Sequence, residues 1–214
     1  MYREVRESIV DVLRFLEVKG LNYGRAGNVS VRIPEANHVV ITPSGFLKSA
    51  LKPEDLIVID LNGGLIEGSG KPSVETPMHL TIYRRFSKIN AVIHAHAPYT
   101  TVLAVVREPI PPLIEEMVLR VGGDVKVTKY APLGTQELAE EVVKALEGRS
   151  AAIIANHGVV AVGKNLQEAT EVLELVEKIA QIYIHAKLLG KIETLPQNVV
   201  EYLKTLYIKT QNTT

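Results

Sequence analysis

The run Val92-Ile93-His94-Ala95-His96-Ala97-Pro98 constrains this chain more than any other stretch. It reads as a buried strand, and residues i and i+2 of a strand point to the same face. His94 and His96 are therefore held side by side where that strand ends. Two polar rings on an apolar strand are expensive, since an unpartnered buried polar group costs about 1–3 kcal/mol. A metal ion or a hydrogen-bond network must offset that. The chain has only six histidines and no cysteine, so a metal here takes nitrogen and oxygen donors.

Three more residues are candidate ligands. Glu75 and His79 stand one helical turn apart in a segment, 75–86, that reads as a helix, so either can ligate. Glu75, at the helix start, is taken as the ligand and His79 as a packing or supporting residue. His157, in Asn156-His157-Gly158, falls in a tight turn between two strands. With His94 and His96 these complete a set of three histidines and one carboxylate, which suits zinc; manganese or cobalt can use the same donors. His38 and His185 are read as ordinary loop and helix residues. A carboxylate ligand has a second use. Displaced by a chelating substrate, it becomes a general base beside a Lewis acid, as proton abstraction next to a carbonyl or carbon–carbon cleavage to an enediolate requires.

Ahead of these residues lie three polar segments: Gly27-Asn28-Val29-Ser30, Thr42-Pro43-Ser44-Gly45 and Lys71-Pro72-Ser73. Each offers small donors and backbone amides to an anion, although any one alone is an ordinary turn. Ser73 stands out as the expected cap of the helix that carries Glu75. The formal charge is zero, so an anionic substrate must be held by such local groups, and no global field draws the chain to nucleic acid or a membrane.

Elsewhere the pattern predicts an amphipathic helix over 3–19, strands at 29–33 and 39–41, and a hairpin of 56–61 with 64–66 about Asn62-Gly63. Helices are expected after Pro98, from a Thr135 cap to about 146, and from 165 to about 189. Further strands are expected at 91–96, 125–128, 151–155 and 159–162. The remaining C-terminal stretch reads as a polar closing segment. The hairpins imply a mainly antiparallel sheet with helices packed on it, as one domain over 1–214. The N-terminus lacks a signal-peptide core and no apolar run reaches the ~20 residues of a membrane span, so a cytoplasmic protein is expected.

In this order, Gly27-Asn28-Val29-Ser30, Thr42-Pro43-Ser44-Gly45, Pro72-Ser73-Val74-Glu75, His94-Ala95-His96 and Asn156-His157-Gly158 resemble the class II aldolase/adducin family, over about residues 5–189. The resemblance implies an α/β/α sandwich around a mainly antiparallel sheet and a homotetramer with active sites at subunit interfaces. It implies zinc on Glu75, His94, His96 and His157, with Glu75 also the acid/base residue. It implies a sugar-phosphate substrate, its phosphate on Gly27, Asn28, Ser44, Gly45, Ser73 and Val74. The pattern is nearest to the fuculose-1-phosphate aldolases, which implies cleavage of a ketose 1-phosphate to dihydroxyacetone phosphate and an aldehyde. Two departures stand out. Val74 replaces a second serine, and Glu116 occupies the place of a tyrosine acid, which resembles the methylthioribulose-phosphate dehydratases of the same family. Tyr207 is a further candidate acid. Glutamate rather than aspartate at position 75 places a 4-epimerase behind both readings. A non-enzymatic, adducin-like interaction protein is disfavoured by the full ligand set, and a generic zinc hydrolase is a further alternative.

Overall fold

A computed structural model describes residues 1–212 of the chain. The elements run α1 (Arg3–Val18), β1 (Asn28–Ile33), β2 (His38–Ile41), β3 (Ile57–Asp60), β4 (Leu65–Glu67), α2 (Thr76–Arg85), β5 (Ala91–Ala95) and α3 (Pro98–Val106). Then follow α4 (Glu115–Val121), β6 (Lys126–Val127), α5 (Gln136–Leu146), β7 (Ala151–Ile154), β8 (Gly158–Gly163), α6 (Leu166–Leu189) and α7 (Gln197–Asn212). The strands form one sheet in the order β4-β3-β2-β1-β5-β8-β7-β6. Every pairing is antiparallel except β6 with β7.

Alternation along the central strands divides the core in two. Ala91, Ile93 and Ala95 of β5, with Val29 of β1, pack with Leu13 of α1, Leu103 of α3, Met117 of α4 and Val176 of α6. Val92 faces the other way, into a cluster with Met78 and Ile82 of α2 and Leu138 and Val142 of α5. The expected sandwich is thus present, and strand parity sends His94 to the α2 side, opposite Asn28 in the ladder. Thr135 caps α5 as anticipated, its side-chain oxygen accepting from the Leu138 N–H. No helix of the described residues is long and apolar enough to cross a membrane.

The structure departs from the sequence pattern in three places. Ser73 does not cap α2; Glu75 occupies that position. The Ser73 N–H is held by the Thr42 carbonyl, 3.0 Å away, and a bridge between Pro43 and Pro72 keeps this stretch extended up to the turn. Two helices, α4 and α7, lie where no element was expected. At seven residues α4 is too short to show a helical period, and α7 buries only Val200, Leu203 and Tyr207, largely against α4.

One buried contact fixes the chain just past the His-x-His motif. The Glu177 carboxylate of α6 accepts from the Tyr99 N–H (2.7 Å), the Thr100 N–H (2.9 Å) and the Thr100 hydroxyl (2.9 Å), all at the start of α3. Free N–H groups at a helix N-terminus favour a carboxylate. Glu177→Ala strands these donors and is expected to cost about 2–4 kcal/mol, read as a lowered unfolding midpoint. A midpoint within about 0.5 kcal/mol of wild type would contradict this, since that is the range of neutral surface changes.

Candidate metal centre

His94 is the penultimate residue of β5, His96 lies two residues on, just past the strand, and His157 occupies the β7–β8 turn. Ladder pairing of Ala95 with Val159 brings that turn beside the strand end. The His94 Nδ1–H donates to the Val159 carbonyl (3.0 Å), which leaves the Nε2 lone pair facing inward. The His96 Nε2 sits 3.1 Å from it. Two nitrogens each about 2.1 Å from a tetrahedral zinc stand about 3.4 Å apart, close to that separation. One nitrogen from each of His94, His96 and His157 falls within 4.8 Å of the others. Gly158 is needed for this approach, since a Cβ there would lie 2.4 Å from the Ala95 carbonyl and 3.3 Å from both the His94 and His96 rings.

Burial disfavours protonation of all three. It drives His94 down to about 3, helped by His96, and His157 to about 4, helped by His94; it also lowers His96. The rings are therefore neutral, the form that binds metal.

Glu75 stands over the triad from the head of α2. Its Oε2 is 3.2 Å from His94 Nε2, and its Oε1 is 3.8 Å from His157 Nε2. Burial raises its pKa, against the opposing pull of His157 and an Asn28 hydrogen bond. Oε1 is buried with no hydrogen-bond partner, an orphaned acceptor aimed at the histidines. A carboxylate oxygen without a partner beside converging lone pairs is what a divalent cation satisfies, so the donor set fits one.

Behind Glu75 runs a buried chain of hydrogen bonds. The Asn28 Nδ2–H donates to Glu75 Oε2 (2.7 Å), so its Oδ1 must accept from the His79 Nε2–H (2.5 Å). His79 Nδ1 then accepts from the Ser30 hydroxyl (2.6 Å), which also lies 2.7 Å from the Tyr83 hydroxyl. His79 is therefore a supporting residue, as anticipated. Ser30 and Tyr83 were not singled out for this, although Ser30 shares the Asn28 face of β1 by period two.

Burial holds the His79 pKa at about 3, below the usual 6.5. The unfolded chain thus binds this proton more readily. The stability that neutral His79 contributes is complete above about pH 6.5 and is lost as pH falls toward about 3. Metal-stripped protein is therefore expected to lose up to about 2 kcal/mol through His79 between about pH 6.5 and pH 5. Glu75 acts in the opposite sense, its raised carboxyl being relieved by acid. His79→Gln should flatten that part of the acid dependence in thermal melts; an unchanged profile would assign it to other groups.

The expected anion-binding residues form the adjoining wall. The Ser44 N–H donates to the Lys71 carbonyl (2.9 Å), which ties the Thr42–Gly45 loop to the segment leading into Ser73 and Val74. Gly27 turns with φ +70°, and a Cβ there would lie 2.2 Å from Asn22 Nδ2 and 2.6 Å from the His94 carbonyl. The Asn28 side chain is committed to Glu75 and His79 and its backbone is paired with His94 in the sheet, so one side-chain amide proton remains for a ligand. Lys48, not singled out in the sequence, lies buried behind the loop with its ammonium on the Pro43 carbonyl (3.2 Å). The structure does not bring every candidate here. Glu116 is exposed in the first turn of α4, and among the described residues no hydrogen bond or ion pair joins it to the histidines of its own chain. Tyr207 donates to or accepts from Ser150 (2.8 Å), which precedes β7, at the opposite end of the sheet.

Comparison with known proteins agrees with this geometry. The Class II Aldolase and Adducin N-terminal domain matches residues 7–184. The chain belongs to the class II aldolase/adducin family. Within it, the 5-deoxy-D-ribulose 1-phosphate aldolase of Bacillus thuringiensis serovar kurstaki is 36% identical over 203 residues, covering 95% of each chain. The 5-methylthioribulose-1-phosphate/5-deoxyribulose-1-phosphate aldolase of Rhodospirillum rubrum is 37% identical, over 94% of this chain and 91% of that one. A solved L-fuculose 1-phosphate aldolase superposes with a TM-score of 0.92 at 40% identity, over 96% of both chains. With the three-histidine cluster intact, this class II aldolase/adducin member is a metal-dependent aldolase rather than a scaffold without chemistry.

Proposed function

We propose that the chain is a zinc-dependent aldolase that reversibly cleaves a ketose 1-phosphate into dihydroxyacetone phosphate and an aldehyde. The observation that carries this is the Glu75 carboxylate, buried, raised in pKa and 3.2 Å from a histidine nitrogen of the triad. His94, His96 and His157, with Glu75, would hold the metal, which when bound supplies Lewis-acid polarisation of the substrate ketone. In cleavage, the bond between carbons 3 and 4 breaks, the carbon-4 hydroxyl gives up its proton and carbon 3 gains one. Glu75 serves the carbon-3 proton: a carboxyl raised by burial moves toward the operating pH, where general acid–base groups work best. Asn28, fixed by His79 and Ser30, orients that carboxylate.

The phosphate is assigned to Gly27, Asn28, Ser44, Gly45, Ser73 and Val74, with Val74 contributing its backbone alone. The second acid is assigned to Glu116. Because it does not reach the histidines of its own chain, it would arrive from a neighbouring subunit of a homotetramer. An open cleft of about 510 Å³ beside His96 and His157 supports that arrangement, lined by exposed Tyr23, Val102, Val105 and Val106. The Glu116 carboxylate also favours one other reading, a dehydratase acting on a methylthioribulose 1-phosphate type of substrate.

A coupled assay for dihydroxyacetone phosphate separates them. The panel is fuculose 1-phosphate and the two ribulose 1-phosphates for which the relatives are named. Chelator-sensitive release supports the aldolase; water loss without release supports the dehydratase.

A further inference from the structure

Lys48 has no place in the chemistry described so far. Its side chain is 5% exposed, yet its only hydrogen-bond acceptor among the described residues is the Pro43 carbonyl, 3.2 Å from Nζ. An ammonium has three donors, so two are unspent in a site where burying charge is costly. It is also close enough to Glu75 for each charge to act on the other. Lys48 ties the turn that precedes Gly27-Asn28 to the Ser44-Gly45 loop: its N–H is bonded to the Gly24 carbonyl (2.9 Å), and its ammonium to the carbonyl of Pro43, the residue before Ser44 (3.2 Å). The other groups assigned to that wall are neutral, and the carboxylate of Glu75, whose N–H is bonded to the Ser73 hydroxyl, repels an anion. With a formal net charge of zero the chain offers no long-range field to compensate.

We propose that Lys48 is the specificity-determining cation of this site, its ammonium turning an unspent donor to the phosphate monoester of the substrate beside the Thr42–Gly45 loop. This rests on the sugar-phosphate reading above and names the charge that reading lacks. A lysine suits the task as a compact point charge with rotatable donors.

Calorimetric titration of inorganic phosphate into metal-loaded wild type, Lys48→Met and Lys48→Arg tests it. Chelator-treated wild type serves as the control for phosphate landing on the metal. Lys48→Met is expected to weaken phosphate binding by about 10-fold or more, the loss of one charge-assisted hydrogen bond, while Lys48→Arg stays within about threefold. In turnover, Lys48→Met should raise KM for a phosphorylated substrate far more than it lowers kcat. Equal phosphate affinity in wild type and Lys48→Met, or binding abolished by chelator alone, overturns the proposal. If Lys48→Met does not fold, a phosphate-soaked crystal of the wild type decides. A phosphate oxygen within hydrogen-bond distance of Lys48 Nζ supports it; phosphate bound only elsewhere overturns it. Lys48-dependent phosphate binding without any aldol cleavage would instead sink the aldolase reading and leave this site standing.

Discussion

Glu75→Gln is expected to cut aldol cleavage by about 10²–10⁴-fold while the metal remains bound, the range that a positioned acid–base group supplies. The amide is nearly isosteric, and three histidine nitrogens within 4.8 Å of one another remain to hold the ion. What the amide cannot do is accept and return a proton. Stability should not fall with activity. The wild-type carboxylate is buried, its Oε1 has no hydrogen-bond partner and burial raises its pKa, so a neutral replacement removes a desolvation cost. The check is kcat measured beside metal content on the same preparation. Turnover near wild type, with metal present, would remove Glu75 from proton transfer.

His94→Ala is expected to lose both metal and detectable activity. Its ring is fully buried, anchored through Nδ1 on the Val159 carbonyl and adjacent through Nε2 to both His96 and Glu75. Truncation removes a ligand and also leaves a cavity in the buried interior, costing about 2–4 kcal/mol even without metal. Added zinc should raise the wild-type melting temperature and leave the variant unmoved, because only a protein that binds the ion gains from it. His38→Ala is the control. His38 bonds Tyr2 (3.0 Å) at the start of β2, and its loss should leave zinc stabilisation intact. Full zinc occupancy in His94→Ala would overturn the ligand assignment.

The parts of this fold that were legible in the sequence are those with a strong period or a distinctive turn. The parity of β5 put His94 and His96 where they are found, Asn62-Gly63 marked the β3–β4 hairpin, and Thr135 and Asn165 marked helix starts. α7 was missed although Val200, Leu203 and Tyr207 follow helical spacing, because polar residues dominate the rest and the face has meaning only against α4. The site divides likewise. Histidines are rare enough for their spacing to be read directly. The chain from Tyr83 through Ser30, His79 and Asn28 to Glu75 was not, because it joins residues up to 53 apart that meet only when β1 lies beneath α2. Lys48 was hidden for another reason: a lysine reads as surface until packing buries it.

The most direct test of the account does not need the natural sugar. It is exchange of the carbon-bound hydroxymethyl protons of dihydroxyacetone phosphate with solvent deuterium, followed by NMR. If Glu75 moves a proton at that carbon with help from the metal, one proton exchanges in metal-loaded protein. Exchange then disappears on chelation and in Glu75→Gln. Exchange that survives chelation, or its absence from metal-replete wild type that binds the compound, would contradict the account.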